Sequence, residues 1–162
     1  MDIFKGITIP AKALEGAVSI VETVSVTGDG PKPSVAKPIA QGDRLAIVGD
    51  NGEEPYVAKA DGTNGVTIGF AHDHPEYELD PTTSYTENQA KTAGVLRNVG
   101  VETPFTDVRT VPAKASEAIT AGMYVEWSVD GWKKTASSGT TVSDAICIIG
   151  QSAENEIVIG IK

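Results

Sequence analysis

Apolar residues recur at every second position in short runs along this chain, and each run is broken by Gly, Pro or an acidic turn. That period places alternate side chains on opposite faces of an extended strand. Val18-Ser19-Ile20-Val21-Glu22-Thr23-Val24-Ser25-Val26 predicts a strand with Val18, Ile20, Val24 and Val26 on one face. Thr27 to Pro33 follows as a loop, because Asp29-Gly30 is a turn pair and Pro31 and Pro33 interrupt pairing. Val95, Val99 and Val101 predict a later strand, Val108 to Val111 another, and Ile157, Ile159 and Ile161 a closing one. No segment carries a sustained apolar stripe at the helical period. Short helical turns are expected only at 86–92, with Ser84 or Thr86 as cap, and at Ser116-Glu117-Ala118.

The order of turns repeats. Ile39-Ala40-Gln41-Gly42-Asp43-Arg44-Leu45-Ala46-Ile47, Asp50-Asn51-Gly52 and Val66-Thr67-Ile68-Gly69-Phe70-Ala71 are echoed by Ile119-Thr120-Ala121-Gly122-Met123-Tyr124-Val125-Glu126-Trp127, Asp130-Gly131 and Ile146-Cys147-Ile148-Ile149-Gly150. An aromatic follows each acidic turn, Tyr56 in one unit and Trp132 in the other. The expected fold is mainly β: a small β-sandwich or barrel-like single domain over 17–162, with two weakly repeated β-meander units at about 34–71 and 115–152. Residues 1–16 precede it as an extended N-terminal arm or a first edge strand, Pro10 suiting an edge because it has no N–H to donate. Residues 72–92, with two prolines and several acids, read as an acidic surface loop.

Composition narrows the function. The chain has 162 residues, enough for one domain or two small lobes, and its 17 Gly and 9 Pro suit many turns. A net charge of −9 repels phosphate backbones, so no direct contact with nucleic acid is expected. Cys147 is the single cysteine and lies in an apolar run, so it reads as a small buried hydrophobe. The first residues lack a basic start followed by a long apolar run, and no segment reaches membrane-spanning length. The expectation is a protein made in the cytoplasm, with no membrane partner, that stays there or leaves within something larger.

The sharpest candidate for chemistry is His72-Asp73-His74-Pro75-Glu76-Tyr77-Glu78. Two imidazoles two residues apart point to one side of an extended segment and can share a metal with Glu78. The spacing resembles the first metal motif of cupins, but the Gly expected after the Glu is missing. The chain also has no third histidine for the second motif. No Ser lies in a Gly-x-Ser-x-Gly elbow, and Gly49-Asp50-Asn51-Gly52 lacks the Lys and helix of a phosphate loop. No cofactor and no enzymatic activity are expected. Tyr56, Trp127 and Trp132 are open to two readings, cross-strand packing or a sugar-stacking platform.

One resemblance is carried by Ile119-Thr120-Ala121-Gly122, by Ile149-Gly150-Gln151-Ser152-Ala153 and by Ile157-Val158-Ile159-Gly160-Ile161. The order resembles that of the capsid decoration (cement, or head-stabilising) proteins of tailed double-stranded-DNA viruses. In that family an Ile-x-Ala-Gly-Asp-x-Val turn precedes an Ile-Gly-x-Ala stretch and a closing strand. Met123 stands where Asp is usual, whereas the first unit has the Asp, in Gly42-Asp43. The resemblance implies a structural virion protein on the outer capsid surface that bridges neighbouring major capsid protein subunits, often as a homotrimer. Ile3, Phe4, Ile7 and Ile9 would then contact the capsid or a sister subunit by strand addition. Another β-rich virion part (spike, fibre or tail domain) and a carbohydrate-binding sandwich remain as alternatives.

Overall fold

A computed structural model describes residues 6–15, 18–21, 32–35, 39–72, 97–135 and 145–162, and every regular element among them is a strand. The mainly β expectation holds. Thr8–Ala13 (β1), Arg44–Asp50 (β4), Pro55–Lys59 (β5), Val66–Ala71 (β6) and Arg97–Glu102 (β7) form a closed barrel in the order β1-β5-β4-β6-β7. Asp107–Pro112 (β8), Tyr124–Ser128 (β9), Gly131–Lys134 (β10), Ala145–Ile149 (β11) and Glu156–Ile161 (β12) form a second sheet, β10-β9-β11-β12-β8. Val18–Val21 (β2) pairs with Lys32–Val35 (β3) as a separate two-stranded ribbon.

The two five-stranded units have one topology. In each, a central strand (β4 or β9) pairs antiparallel with the strand after it and with the third strand of its meander. A fourth strand (β7 or β12) then pairs antiparallel with the strand that opens the unit (β1 or β8). In the first unit β1 closes the barrel by running parallel to β5, Lys12 opposite Tyr56 and Ala13 opposite Val57. In the second, β8 approaches β10 through the single parallel bridge Ala113–Trp132.

Backbone hydrogen bonds repeat with the topology. Gly42 N–H donates to Ala71 O at 2.8 Å, and Gly122 N–H to Cys147 O at 2.7 Å. Ala71 N–H donates to Asp43 O, and Cys147 N–H to Met123 O, both at 2.8 Å. Ala60 N–H to Arg44 O (2.8 Å) is matched by Thr135 N–H to Tyr124 O (2.9 Å), and Leu14 N–H to Val57 O (2.7 Å) by Lys114 N–H to Trp132 O (2.6 Å). Gly42 and Gly122 both sit at positive φ, +85° and +88°, which only glycine adopts without strain. The repeat is therefore larger than 34–71 and 115–152, since it includes β1 and β7 on one side and β8 and β12 on the other. Two details of the sequence alignment are corrected. The counterpart of Trp132 is Val57 rather than Tyr56, and Ala71 matches Cys147, so Gly69 and Gly150 are not equivalent.

Each unit fills its own interior. Leu45, Val57, Val99 and Val101 line the first, and Val125, Cys147, Ile157 and Ile159 the second. The seam between them is apolar too: Ile146 and Ile148 of β11 join the first cluster, as does Phe105 from the link between β7 and β8. Phe105 is fully buried and lies against Gly160, where a Cβ would come within 2.5 Å of its ring.

Several expectations are corrected. Residues 8–13 are neither a free arm nor an edge, because β1 pairs with β7 along its length and with β5 at its end. Pro10 is tolerated inside the barrel for a geometric reason. Ile7 N–H bonds Phe105 O, so odd-numbered positions face β7, while Leu14 N–H bonds Val57 O, so even-numbered ones face β5. Pro10 thus aims its missing donor toward β5 before pairing there begins at Lys12. Lys32 and Pro33, expected in a loop, belong to β3 opposite Val21 and Ile20. Ser116, at φ 71°, sits in a reverse turn rather than a helical one. The expected elements at 22–26, 73–92 and Val95 lie outside the described residues.

Candidate interaction surface

Of the four large apolar side chains exposed among the described residues, Ile7 stands just before β1 and the other three fall in two places. The first is on β6, where Phe70 is 48% exposed. Strict alternation would turn Phe70 inward with Ile68. A bulge reverses it: Leu45 pairs with Gly69 and Ala46 with Thr67, leaving Ile68 as the extra residue. Phe70 therefore points outward in a cross-strand row with Arg44, Glu102 and Thr8. The row borders a cavity of about 400 Å³ that reaches Phe105, Ile146 and Lys162 at the seam. Gly69 is required beside it, since a Cβ there would lie 2.0 Å from Glu102 O.

The second place is the β9–β10 hairpin. Trp127 is 62% exposed and Val129, at its tip, 90%. Trp127 sits opposite Trp132 with ring centroids 6.1 Å apart and planes at 64°, an edge-to-face pair. Trp132 packs on the second interior, so only Trp127 offers a face to solvent. Cross-strand packing thus accounts for Trp132, while Trp127 is a single exposed ring.

The remaining predicted residues separate. Ile9 is buried in the first barrel, where no partner reaches it, and Ile7 is partly exposed at the barrel rim. Ile3 and Phe4 lie outside the described residues, as do His74 and Glu78. His72 is described, and its Nδ1 lies within hydrogen-bond distance of Glu102 Oε1, at 2.8 Å. No cluster of three or more His, Cys, Asp or Glu side chains suited to a metal occurs among the described residues. Cys147 is buried, and its thiol is pushed up to about 12, by burial first and by the charge of Asp50 second. Tyr56 is partly buried on β5.

Two polar features tie the units together or set them apart. Asp50 Oδ2 accepts from Gly150 N–H at 3.1 Å across the seam, and Oδ1 accepts from Gly52 N–H at 2.8 Å. Asp43 Oδ2 accepts from Ala40 N–H at 2.9 Å and pairs with Lys59 at 3.0 Å. In the second copy Met123 Sδ takes the place of that carboxylate, 3.5 Å from Thr120 N. Phe70, Arg44 and Val129 were not legible as surface features from sequence, because the first two depend on the β6 bulge and its register and the third on the hairpin.

No family model, no curated protein and no solved structure matches this chain.

Proposed function

We propose that this is a structural virion protein that binds the outer surface of a viral capsid and stabilises it by bridging neighbouring major capsid protein subunits. The observation that carries the proposal is the duplicated unit, whose second copy holds the segments that resemble decoration proteins (Ile119 to Gly122, Ile149 to Ala153 and Ile157 to Ile161) and whose first copy has the Asp of the Gly turn, in Gly42-Asp43. A chain with two units of like topology, one a closed barrel and one a five-stranded sheet, held by an apolar seam is suited to spanning two sites on one shell. Modest affinity at each site suffices, because many copies act on one particle and each chain's second contact forms at high effective concentration. A homotrimer would multiply the contacts again.

The test is to mix the purified chain with expanded heads that lack it, sediment them, and count copies per capsid subunit. Saturable binding at a fixed ratio supports the proposal, and heads that sediment bare refute it. The exposed Trp127 ring favours a second reading, a carbohydrate-binding module. Quenching or a shift of its emission on titration with glycans, with no binding to heads, would establish that reading instead.

A further inference from the structure

The seam inside the chain is a one-way contact. The second unit uses its β11 face and its Gly122 turn, and the first unit receives them on β4. A Cβ at Gly122 would lie 3.4 Å from Ile47 O and 3.7 Å from Ile47 Cγ2, and Gly150 donates to Asp50. Ile146, on that β11 face, is completely buried. The reciprocal contact is absent among the described residues: nothing lies within 4 Å of the corresponding position at Gly42. The joint is therefore head-to-tail, and each half of it has an open counterpart, one at the β9–β10 hairpin and the other beside the seam, where Phe70 and Arg44 share a cavity of about 400 Å³ with Ile146.

Three of the four exposed large apolar residues, Phe70, Trp127 and Val129, sit on those counterparts. The row Tyr124–Ile146–Gly160–Val108 corresponds strand by strand to Arg44–Phe70–Glu102–Thr8, so Phe70 occupies the position of buried Ile146. On the receiving side, Ile47 pairs with Val57 as Trp127 pairs with Trp132, so Trp127 occupies the position of Ile47. Beyond the bulge at Val48, Gly49 opposite Tyr56 matches Ser128 opposite Gly131, which sets Val129 at the position of Asp50. Ile47 is 2% exposed under its cover, whereas Trp127 is 62% exposed without one.

We infer that the Phe70 face of one chain is covered by the Trp127–Val129 edge of a second copy of the same chain, repeating between chains the contact that joins the two units within one. The occupant follows from the fold itself, which already shows what a unit of this topology places on that face. The side chains are compatible. Phe70 meets Trp127 and Val129, and Arg44, without an ion pair among the described residues, sits in the same row where it can face the indole ring. A head-to-tail contact closes into a ring when its rotation allows. The inference stands apart from the capsid reading, since the ring forms from this chain alone.

The test is the mass of the full chain by light scattering across a dilution series, with Phe70→Glu and Trp127→Glu as variants on the two halves of the contact. The wild type is expected to run above the monomer, its tryptophan emission shifting to the red as dilution uncovers Trp127. Each variant alone is expected to be a monomer. Their equal mixture should form a complex of two chains and nothing larger, because one intact half remains on each. Should Trp127→Glu disturb the fold by circular dichroism, Val129→Glu, at the most exposed of these positions, replaces it. A monomeric wild type, variants that keep the wild-type mass, or a mixture that stays monomeric would each overturn the inference.

Discussion

Phe105 makes the most exacting test of the seam. It belongs to the four-residue link between the barrel and the second sheet, yet no part of it reaches solvent. Its surroundings cannot close in after truncation, because the backbones around it already touch. A Cβ at Gly6 would lie 2.0 Å from Thr103 O and 2.9 Å from Phe105 O, and one at Gly160 would strike the ring at 2.5 Å. The link is also pinned by Ile7 N–H to Phe105 O at 3.0 Å and by Thr103 Oγ1 to Ile7 O at 2.5 Å. Phe-to-Ala truncation in a core costs about 3–5 kcal/mol, the higher values belonging to sites that do not relax. Phe105→Ala is therefore expected to cost about 4 kcal/mol. With a urea dependence of roughly 2 kcal/mol per molar, the midpoint should fall by about 2 M.

Two probes read different parts of the molecule. Trp127 and Trp132 both lie in the second unit, while far-UV circular dichroism sees both units. In the wild type the two transitions should coincide at fixed protein concentration; in Phe105→Ala they should separate as the seam loosens. Gly160→Ala supplies the control: alone it overpacks the ring, at about 1–3 kcal/mol, but in the Phe105→Ala background its methyl enters the vacated space and should cost little. A loss below about 1 kcal/mol for Phe105→Ala would refute the reasoning, as would a Gly160→Ala cost that is the same in both backgrounds.

Asp50→Ala removes the acceptor of both Gly150 and Gly52 N–H and should cost about 1.5–3 kcal/mol by urea melts, since hydrogen bonds to a charged group lie in that range. Met123→Asp installs in the second copy the carboxylate that Asp43 supplies in the first, within the equivalent geometry to Lys134, and should be neutral or stabilising by up to about 1 kcal/mol, whereas Asp43→Met should destabilise; opposite signs in thermal melts would count against the duplication. Cys147 holds its proton up to about 12 in the fold against an ordinary value near 9, so between those limits the unfolded chain binds fewer protons than the folded one. Stability from this group is whole below pH 9 and falls as pH rises, by roughly 1.4 kcal/mol per unit. Cys147→Ala should flatten that part of the stability profile, and a disulfide reagent at pH 8 should label the thiol only on unfolding.

Much of the fold was legible in alternation and turns. Val99 and Val101, Ile157 and Ile159, and Leu45 and Val125 all point inward as the period of two requires, and Gly42 and Gly122 mark equivalent turns. Where alternation failed, a register shift was the cause. The extra residue Ile68 turns Phe70 out, and no local preference distinguishes that from a straight strand. The length of the repeat was hidden for another reason. β1 and β8 share almost no residues: Ile9-Pro10-Ala11 stands against Arg109-Thr110-Val111, and only their hydrogen-bond partners show that they do one job. The surface of the site was hardly legible at all, because exposure is decided by what packs on a face rather than by the face.

That last point also explains why two copies of one unit have diverged where they have. The row on the second copy is Tyr124, Ile146, Gly160 and Val108, with Ile146 and Gly160 buried and Tyr124 and Val108 half-buried, and the matching row on the first is Arg44, Phe70, Glu102 and Thr8. A face held against one surface within a chain has only that surface to match, so it carries no charged side chain and has a glycine that admits Phe105. A face that must meet water before it meets a partner keeps polar groups around a single apolar anchor. Had the first row simply been solvent surface, nothing would favour an aromatic at its centre. Had it been core, Arg44 and Glu102 would carry a desolvation cost with no compensating pair between them. A half-polar row with one large apolar side chain is the composition expected of an interface that forms after folding, and the apolar pair Trp127 and Val129 is its match in size and chemistry.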